Sequence, residues 1–258
     1  MEYGVVQFDH LLHWVPDLDA AVRDYQAIGF TVQRAGQHPQ FGTHNAGWRL
    51  DTRYIELIAV RDETVARAGL GPDWPEIDAT LRAGGGALAF GVLVADVTAT
   101  VANLRSRGVP VGDPQARSIQ RTDGSTGVWQ GASLRDGPRW APFFINYGVP
   151  VDQWTARFRE QGFPKDPWAL HGVTAEVPDP AASAIWLADV FGLDVVRTGQ
   201  DAAQVPLPGC AITFAPGPAD RITAVILTGP GAPKGSVAGL RYLDAGSAPF
   251  PGSAGDRV

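Results

Sequence analysis

One cysteine, Cys210, in 258 residues excludes an intrachain disulfide and a cysteine-ligated metal centre. Lysine is almost as scarce: of 21 basic residues only Lys165 and Lys234 are lysines, a bias that reads as the mark of a GC-rich bacterial genome. Positive charge is in deficit, with 27 acidic residues and a net charge of −6, which argues against a nucleic acid held by charge. No apolar run approaches the roughly 20 residues that a membrane-spanning helix needs. The opening residues, Met1 to Asp9, lack the basic and apolar regions of a secretory signal. The expectation is a cytoplasmic protein with neither nucleic acid nor membrane as partner. Gly84-Gly85-Gly86 is not a phosphate loop, since no Lys-Ser/Thr follows and a strand comes next. No Gly-x-Ser-x-Gly nucleophile elbow occurs.

What is present is a repeat. Residues 7–15 read as an apolar strand, and Asp17 follows as a helix cap with Gly29 as the stop. Strands over Phe30–Arg34, Ala46–Leu50 and Tyr54–Val60 complete a βαβββ unit, the last two turning near Asp51. The strand Val92–Asp96 opens a second unit whose helix ends at Gly108, with the Asp-to-Gly spacing of twelve repeated. A third unit runs from His171 through the cap Asp179 and Gly192 to Cys210–Phe214, and Arg221–Thr228 opens a fourth that has no helix. The predicted fold is α+β: tandem βαβββ modules whose curved mixed sheets form half-barrel clefts, three modules plus a truncated fourth. Residues 1–148 hold the first pair (1–61 and 85–148, with a connector at 62–84). A linking helix at 149–166 ends at Gly162, the third module and the fourth's first strand fill 167–229, and 230–258 form a tail with one more edge strand near 239–245.

This pattern resembles the vicinal oxygen chelate superfamily, and within it the glyoxalase-like domain family. The segments that carry the likeness are Phe8-Asp9-His10, Pro16-Asp17-Leu18-Asp19, Ile28–Val32, His38-Pro39, Gly42–Asn45, Tyr54–Leu57, Arg121–Gly124, Trp129, Pro142–Ile145, Gly172–Thr174 and Val177–Pro180. The resemblance implies a cleft in which each unit offers one metal ligand from its first strand and one from its fourth. His10 and Glu56 take those positions in the first unit. Ala89 and Asn146 take them in the second, Gly172 and Thr213 in the third. The set is therefore incomplete, and a third ligand must come from His38 or His44, in the loop between the second and third strands; His38 is carried as the candidate. Imidazole and carboxylate suit a divalent Zn, Fe, Mn or Ni ion. Strand alternation turns Asp9 away from His10, and His13 away from it as well.

Trp14, Phe41, Trp48, Trp129 and Phe144 are candidates for the cleft wall, and Asn146 for a polar contact there. Arg49, Arg53 and Arg121 are candidates for receiving a substrate carboxylate. Two readings stay open. One is a divalent-metal-dependent lyase, isomerase or related enzyme with His10 and Glu56 at its centre, which without metal could still act as an acid–base pair. The other is a metal-free protein that binds an antibiotic or aromatic metabolite. Retention of both His10 and Glu56 favours the enzyme. Glyoxalase I itself and a standard extradiol dioxygenase are disfavoured, because the second unit lacks their ligands. An incomplete last pair could leave a sheet edge for a second copy of the chain, or the tail, to cover.

Overall fold

The computed structural model describes residues 7–49, 52–160, 166–197 and 201–246. The expected turn at Asp51, the helix stop at Gly162 and the end of the tail fall outside them. The first unit is β1 (Gln7–Trp14), α1 (Leu18–Ala27), β2 (Val32–His38), β3 (Thr43–Arg49) and β4 (Tyr54–Val60). Helices α2 (Glu63–Leu70) and α3 (Trp74–Arg82) connect it to β5 (Gly86–Leu93), α4 (Val97–Ser106), β6 (Gln115–Arg121), β7 (Thr126–Ser133) and β8 (Pro142–Asn146). After α5 (Val151–Glu160) come β9 (Ala169–Val177), α6 (Pro180–Phe191), β10 (Val196–Arg197), β11 (Ala203–Val205) and β12 (Ala211–Pro216). Strands β13 (Arg221–Thr228), β14 (Gly235–Val237) and β15 (Leu240–Asp244) finish the described chain. None of its helices is long and apolar enough to cross a membrane.

The helix starts follow from local chemistry. Asp17, Asp96 and Asp179 each sit in extended backbone and accept from the amide three residues on, at 2.8, 2.9 and 2.9 Å. Each bond satisfies one of the amides that a helix start leaves free.

In the first unit β1 runs parallel to β4, and β4, β3 and β2 follow antiparallel. The second unit repeats this with β5 parallel to β8, then β7 and β6. Strands β1 and β5 pair antiparallel, and β2 meets β6 through Gly36–Arg121 and Gln37–Gln120. The two half-barrels thus close into one eight-stranded barrel. Closure depends on Gly36, where a Cβ would lie 2.2 Å from the Gln120 carbonyl oxygen. The third and fourth units repeat the central part of this arrangement: β12 runs parallel to β9, β9 pairs antiparallel with β13, and β13 runs parallel to β15. So β9, β12, β13 and β15 stand where β1, β4, β5 and β8 stand in the first pair. Ile222 of β13 also pairs with Ala87 of β5, which joins the two assemblies.

Alternation along the strands separates core from cleft. On β4, Ile55 and Leu57 are fully buried on the outer face, while Tyr54, Glu56 and Ile58 line the cleft inside the barrel. Burying each of those aliphatic side chains contributes about 1.5–3 kcal/mol.

Candidate active site

The cleft has a volume of about 1680 Å³. His10 and Glu56 both line it and both are buried, at 3% and 6% exposure. His38 lies beside them, at the end of β2 rather than in a loop. Strands β2 and β3 run longer than the sequence suggests, because Gln37 pairs with Gln120 of β6 and Thr43 with Val60 of β4. Only a single turn over Pro39–Phe41 and the left-handed Gly42 (φ 58°) separate them.

The Nε2 atom of His10 is 3.4 Å from Glu56 Oε2, and that of His38 is 3.8 Å from Glu56 Oε1. Each ring is held at its other nitrogen. His10 Nδ1 is 2.6 Å from Asp9 Oδ2, and His38 Nδ1 is 3.1 Å from Thr43 Oγ1. Asp9 Oδ2 also accepts from the Tyr147 hydroxyl at 2.7 Å. The Glu56 carboxylate accepts from the Asn45 side-chain amide. Tyr54 stacks on His10 with centroids 4.6 Å apart, Phe143 meets the same ring edge-on at 5.2 Å, and the Arg49 guanidinium lies 3.8 Å above the Tyr54 ring.

A carboxylate can only accept, so His10 Nδ1 carries a proton and Nε2 is the ring nitrogen that faces Glu56. Two electron-rich atoms 3.4 Å apart in a buried site repel unless a cation, either a proton or a metal ion, lies between them.

The spacing of His10 and Glu56 is that of two ligands of one divalent ion. Two ligands each about 2.1 Å from a tetrahedral ion stand about 3.4 Å apart. Imidazoles steadied at the far nitrogen by a carboxylate and a hydroxyl have the outer support that metal-binding histidines use. Asn45 Oδ1 and Asp9 Oδ1 are buried with no hydrogen-bond partner, so acceptor capacity remains around the pair. Among the described residues no group of three or more His, Cys, Asp or Glu side chains lies close enough together to hold a metal ion, so His38 would have to move closer to complete a set with His10 and Glu56.

Burial drives the other titrations. It pushes the His38 imidazole below its ordinary pKa, against the pull of Glu56. Tyr54 and Tyr147 are raised well above 10 by burial, helped by Glu56 for the first and Asp9 for the second, so both stay O–H donors.

Other expected site residues divide by strand face. Trp14, Phe41, Arg49, Arg121 and Trp129 line the cleft. On β3, Thr43, Asn45, Gly47 and Arg49 face inward, which turns His44 and Trp48 outward. The Trp48 indole donates to Asp166 at 2.7 Å, and Asp166 also takes the Thr31 amide and hydroxyl, so Trp48 anchors the chain after the linking helix instead of touching a substrate. On β8 Phe143 and Ile145, and just past its end Tyr147, mark the inner face. Phe144 packs against Phe191, and Asn146 donates to the Val94 and Ala95 carbonyls while accepting from Gly148 N. Both lie outside the cleft. Arg53 bonds the carbonyls of Leu170 and Gly209. His171 is exposed at the start of β9.

Two register expectations change. Gly91, not Ala89, stands beside His10. Ala89 has φ of 58° next to a register shift between β1 and β5. Asp9 does not turn away from His10, because a second shift between Phe8 and His10 breaks the alternation there and brings its carboxyl to the ring. Asp9, Asn45, Tyr54, Phe143 and Tyr147 were missed as site residues. Counting two residues back from Glu56 or four back from Arg49 finds Tyr54 and Asn45, but no period predicts Asp9.

A Cβ at Gly91 would sit 2.7 Å from His10 Cε1 and 2.8 Å from Nδ1. Since Tyr54 and Phe143 hem in the ring, Gly91→Ala is expected to displace it and to destabilise the fold by about 1–3 kcal/mol. Urea unfolding and the chemical shifts of the His10 ring check this; an undisturbed ring would contradict it.

The sequence pattern of the glyoxalase-like domain family matches residues 8–191. The chain belongs to that family. No curated protein matches this sequence. A hypothetical protein from Staphylococcus aureus superposes with a TM-score of 0.82 at 18% identity, over 93% of this chain and all of that one. A triple variant of 4-hydroxymandelate synthase from Streptomyces coelicolor gives 0.55 at 12% identity, over 86% of this chain and 70% of the other. A methylmalonyl-CoA epimerase variant from Streptomyces coelicolor, in complex with 2-nitronate-propionyl-CoA, gives 0.42 at 24% identity, over 56% of this chain and 96% of the other. The family match and the first two superpositions place the chain in the vicinal oxygen chelate fold and leave its reaction to be argued from the cleft.

Proposed function

We propose that this glyoxalase-like protein is a divalent-metal-dependent lyase, isomerase or related enzyme acting on a small organic molecule in the barrel cleft. The observation that carries the reading is His10 Nε2 at 3.4 Å from Glu56 Oε2, with His38 Nε2 at 3.8 Å from the same carboxylate. His10, His38 and Glu56 would hold the ion. When bound, it would polarise substrate oxygens and stabilise negative charge developing on them.

The chain's own residues do the rest. Asp9 orients His10, and Tyr147 steadies Asp9. Tyr54 and Tyr147 keep their protons near the reacting end. Arg49, beside Tyr54, supplies positive charge to a substrate anion. The walls of Trp14, Phe41, Phe143 and Trp129 exclude water around an apolar body.

The test is solvent deuterium exchange, followed by NMR, at carbons next to the carbonyl of 2-oxo and 2-hydroxy-carbonyl compounds. Metal-supplemented protein is expected to catalyse exchange with at least one of them, and Glu56→Ala to abolish it. Exchange equal in both proteins would contradict the reading. The second reading, a metal-free binding protein, draws on the size and aromatic lining of the cleft, and it predicts saturable binding without exchange.

A further inference from the structure

The inner face of β6 presents Gln115, Arg117, Ile119 and Arg121 to the cleft. The two arginines differ in surroundings. Arg121 bonds Ser125 Oγ at 3.2 Å and lies near Asp123. Arg117 makes no ion pair among the described residues. Its guanidinium lies 4.7 Å from the centroid of the Phe41 ring. Partial burial pulls its pKa below the ordinary value, and no carboxylate offsets that.

The surroundings of Arg117 are built rather than loose. Gln40 donates to the Ser118 carbonyl at 2.8 Å, which ties the turn carrying Phe41 to β6. Trp129 is the direct cross-strand partner of Arg117, and it meets His38 edge-on with centroids 5.8 Å apart. A cation flanked by two aromatic side chains therefore stands one tryptophan away from the His10–His38–Glu56 cluster.

We propose that Arg117 is the anchor for a monoanionic aromatic carboxylate, whose flat body lies along Phe41 and Trp129 with its far end toward Glu56. A guanidinium fork matches a carboxylate with two parallel hydrogen bonds, and aromatic faces match an aryl group. A single negative charge fits better than a doubly charged phosphate, because the cleft holds no excess of positive charge: Arg34, Arg49, Arg117, Arg121 and Arg135 are matched in its lining by Glu56, Asp73, Asp113, Asp123 and Asp136. The proposal deepens the enzyme reading by naming a substrate class. It rests on the cleft as a small-molecule site and not on the ion.

The experiment is calorimetric titration with 2-naphthoate and its neutral counterpart 2-naphthamide, using wild type, Arg117→Gln and His10→Ala. Wild type is expected to prefer the carboxylate by about tenfold or more, the size of a charge-assisted hydrogen bond. Arg117→Gln loses that preference, while His10→Ala keeps it. A preference that survives Arg117→Gln overturns the proposal, as does equal binding of the two probes or no saturable binding of either. A preference lost in His10→Ala instead assigns the carboxylate to the metal-ligand cluster, and also overturns it. Retention in His10→Ala leaves the anchor standing even where the metal reading fails.

Discussion

Acidification from pH 7 to 4.5 is expected to remove about 2.5 kcal/mol of folding stability through His13 alone. This histidine is fully buried on the outer side of β1, and burial lowers its pKa from 6.5 to about 4. Its Nε2 is 3.0 Å from the Ala238 carbonyl, which can only accept, so Nε2 carries the proton. Nδ1 must then accept from the Tyr25 hydroxyl at 2.6 Å, and Tyr25 in turn accepts from Tyr242. A second proton on the ring would reverse this chain and leave the buried Tyr242 hydroxyl to find a new acceptor. Above pH 6.5 neither the folded nor the unfolded state binds that proton, and His13 adds no pH dependence. Between 6.5 and about 4 only the unfolded chain binds it, so stability falls as the pH falls. The full window is worth about 3 kcal/mol. Urea unfolding of wild type and His13→Gln at pH 7 and 4.5 checks this. The variant starts less stable but loses about 2.5 kcal/mol less on acidification; parallel losses would contradict the assignment.

The second large effect concerns Asp9. Its carboxylate holds His10 at Nδ1 and so turns Nε2 toward Glu56. Removing an outer partner of a metal-binding histidine typically lowers metal affinity by about 10–100-fold. Asp9→Asn is expected to do so for Zn or Ni, measured by competition with a chromophoric chelator. Tyr147→Phe, which removes one bond to Asp9, is expected to have a smaller effect in the same direction. Unchanged affinity in Asp9→Asn would show that Asp9 serves the fold and not the site.

The repeat was legible because it is local. An aspartate that caps a helix start and a glycine that ends it lie within one helix of each other, as Asp179 and Gly192 show, the latter left-handed at φ 66°. Candidates spaced along β1 and β4, His10 and Glu56, were legible for the same reason. Strands β6 and β7 left little trace, since most of their residues are polar and exposed or half-buried, so no apolar period marks them. The cleft-facing side holds for His10 and Trp14 on β1 and Glu56 on β4, which sit an even number of residues apart or alone on their strands. Trp48 with Arg49 could not both face the cleft, and the register placed Phe144 and Asn146 one residue from the inner face. Asp9 escaped because a register shift cancels the alternation. The Tyr25–Tyr242 contact joins residues 217 apart, a relation that only the assembled fold displays.

The central claim is that His10, His38 and Glu56 hold a divalent ion. Elemental analysis of the untagged protein, beside His10→Ala, His38→Ala and Glu56→Ala, tests it most directly. The account predicts near-stoichiometric Zn, Fe, Mn or Ni in the wild type and its loss in all three variants. A wild type that carries no metal and takes none up from solution would contradict it, and would leave a proton between His10 and Glu56 in place of the ion.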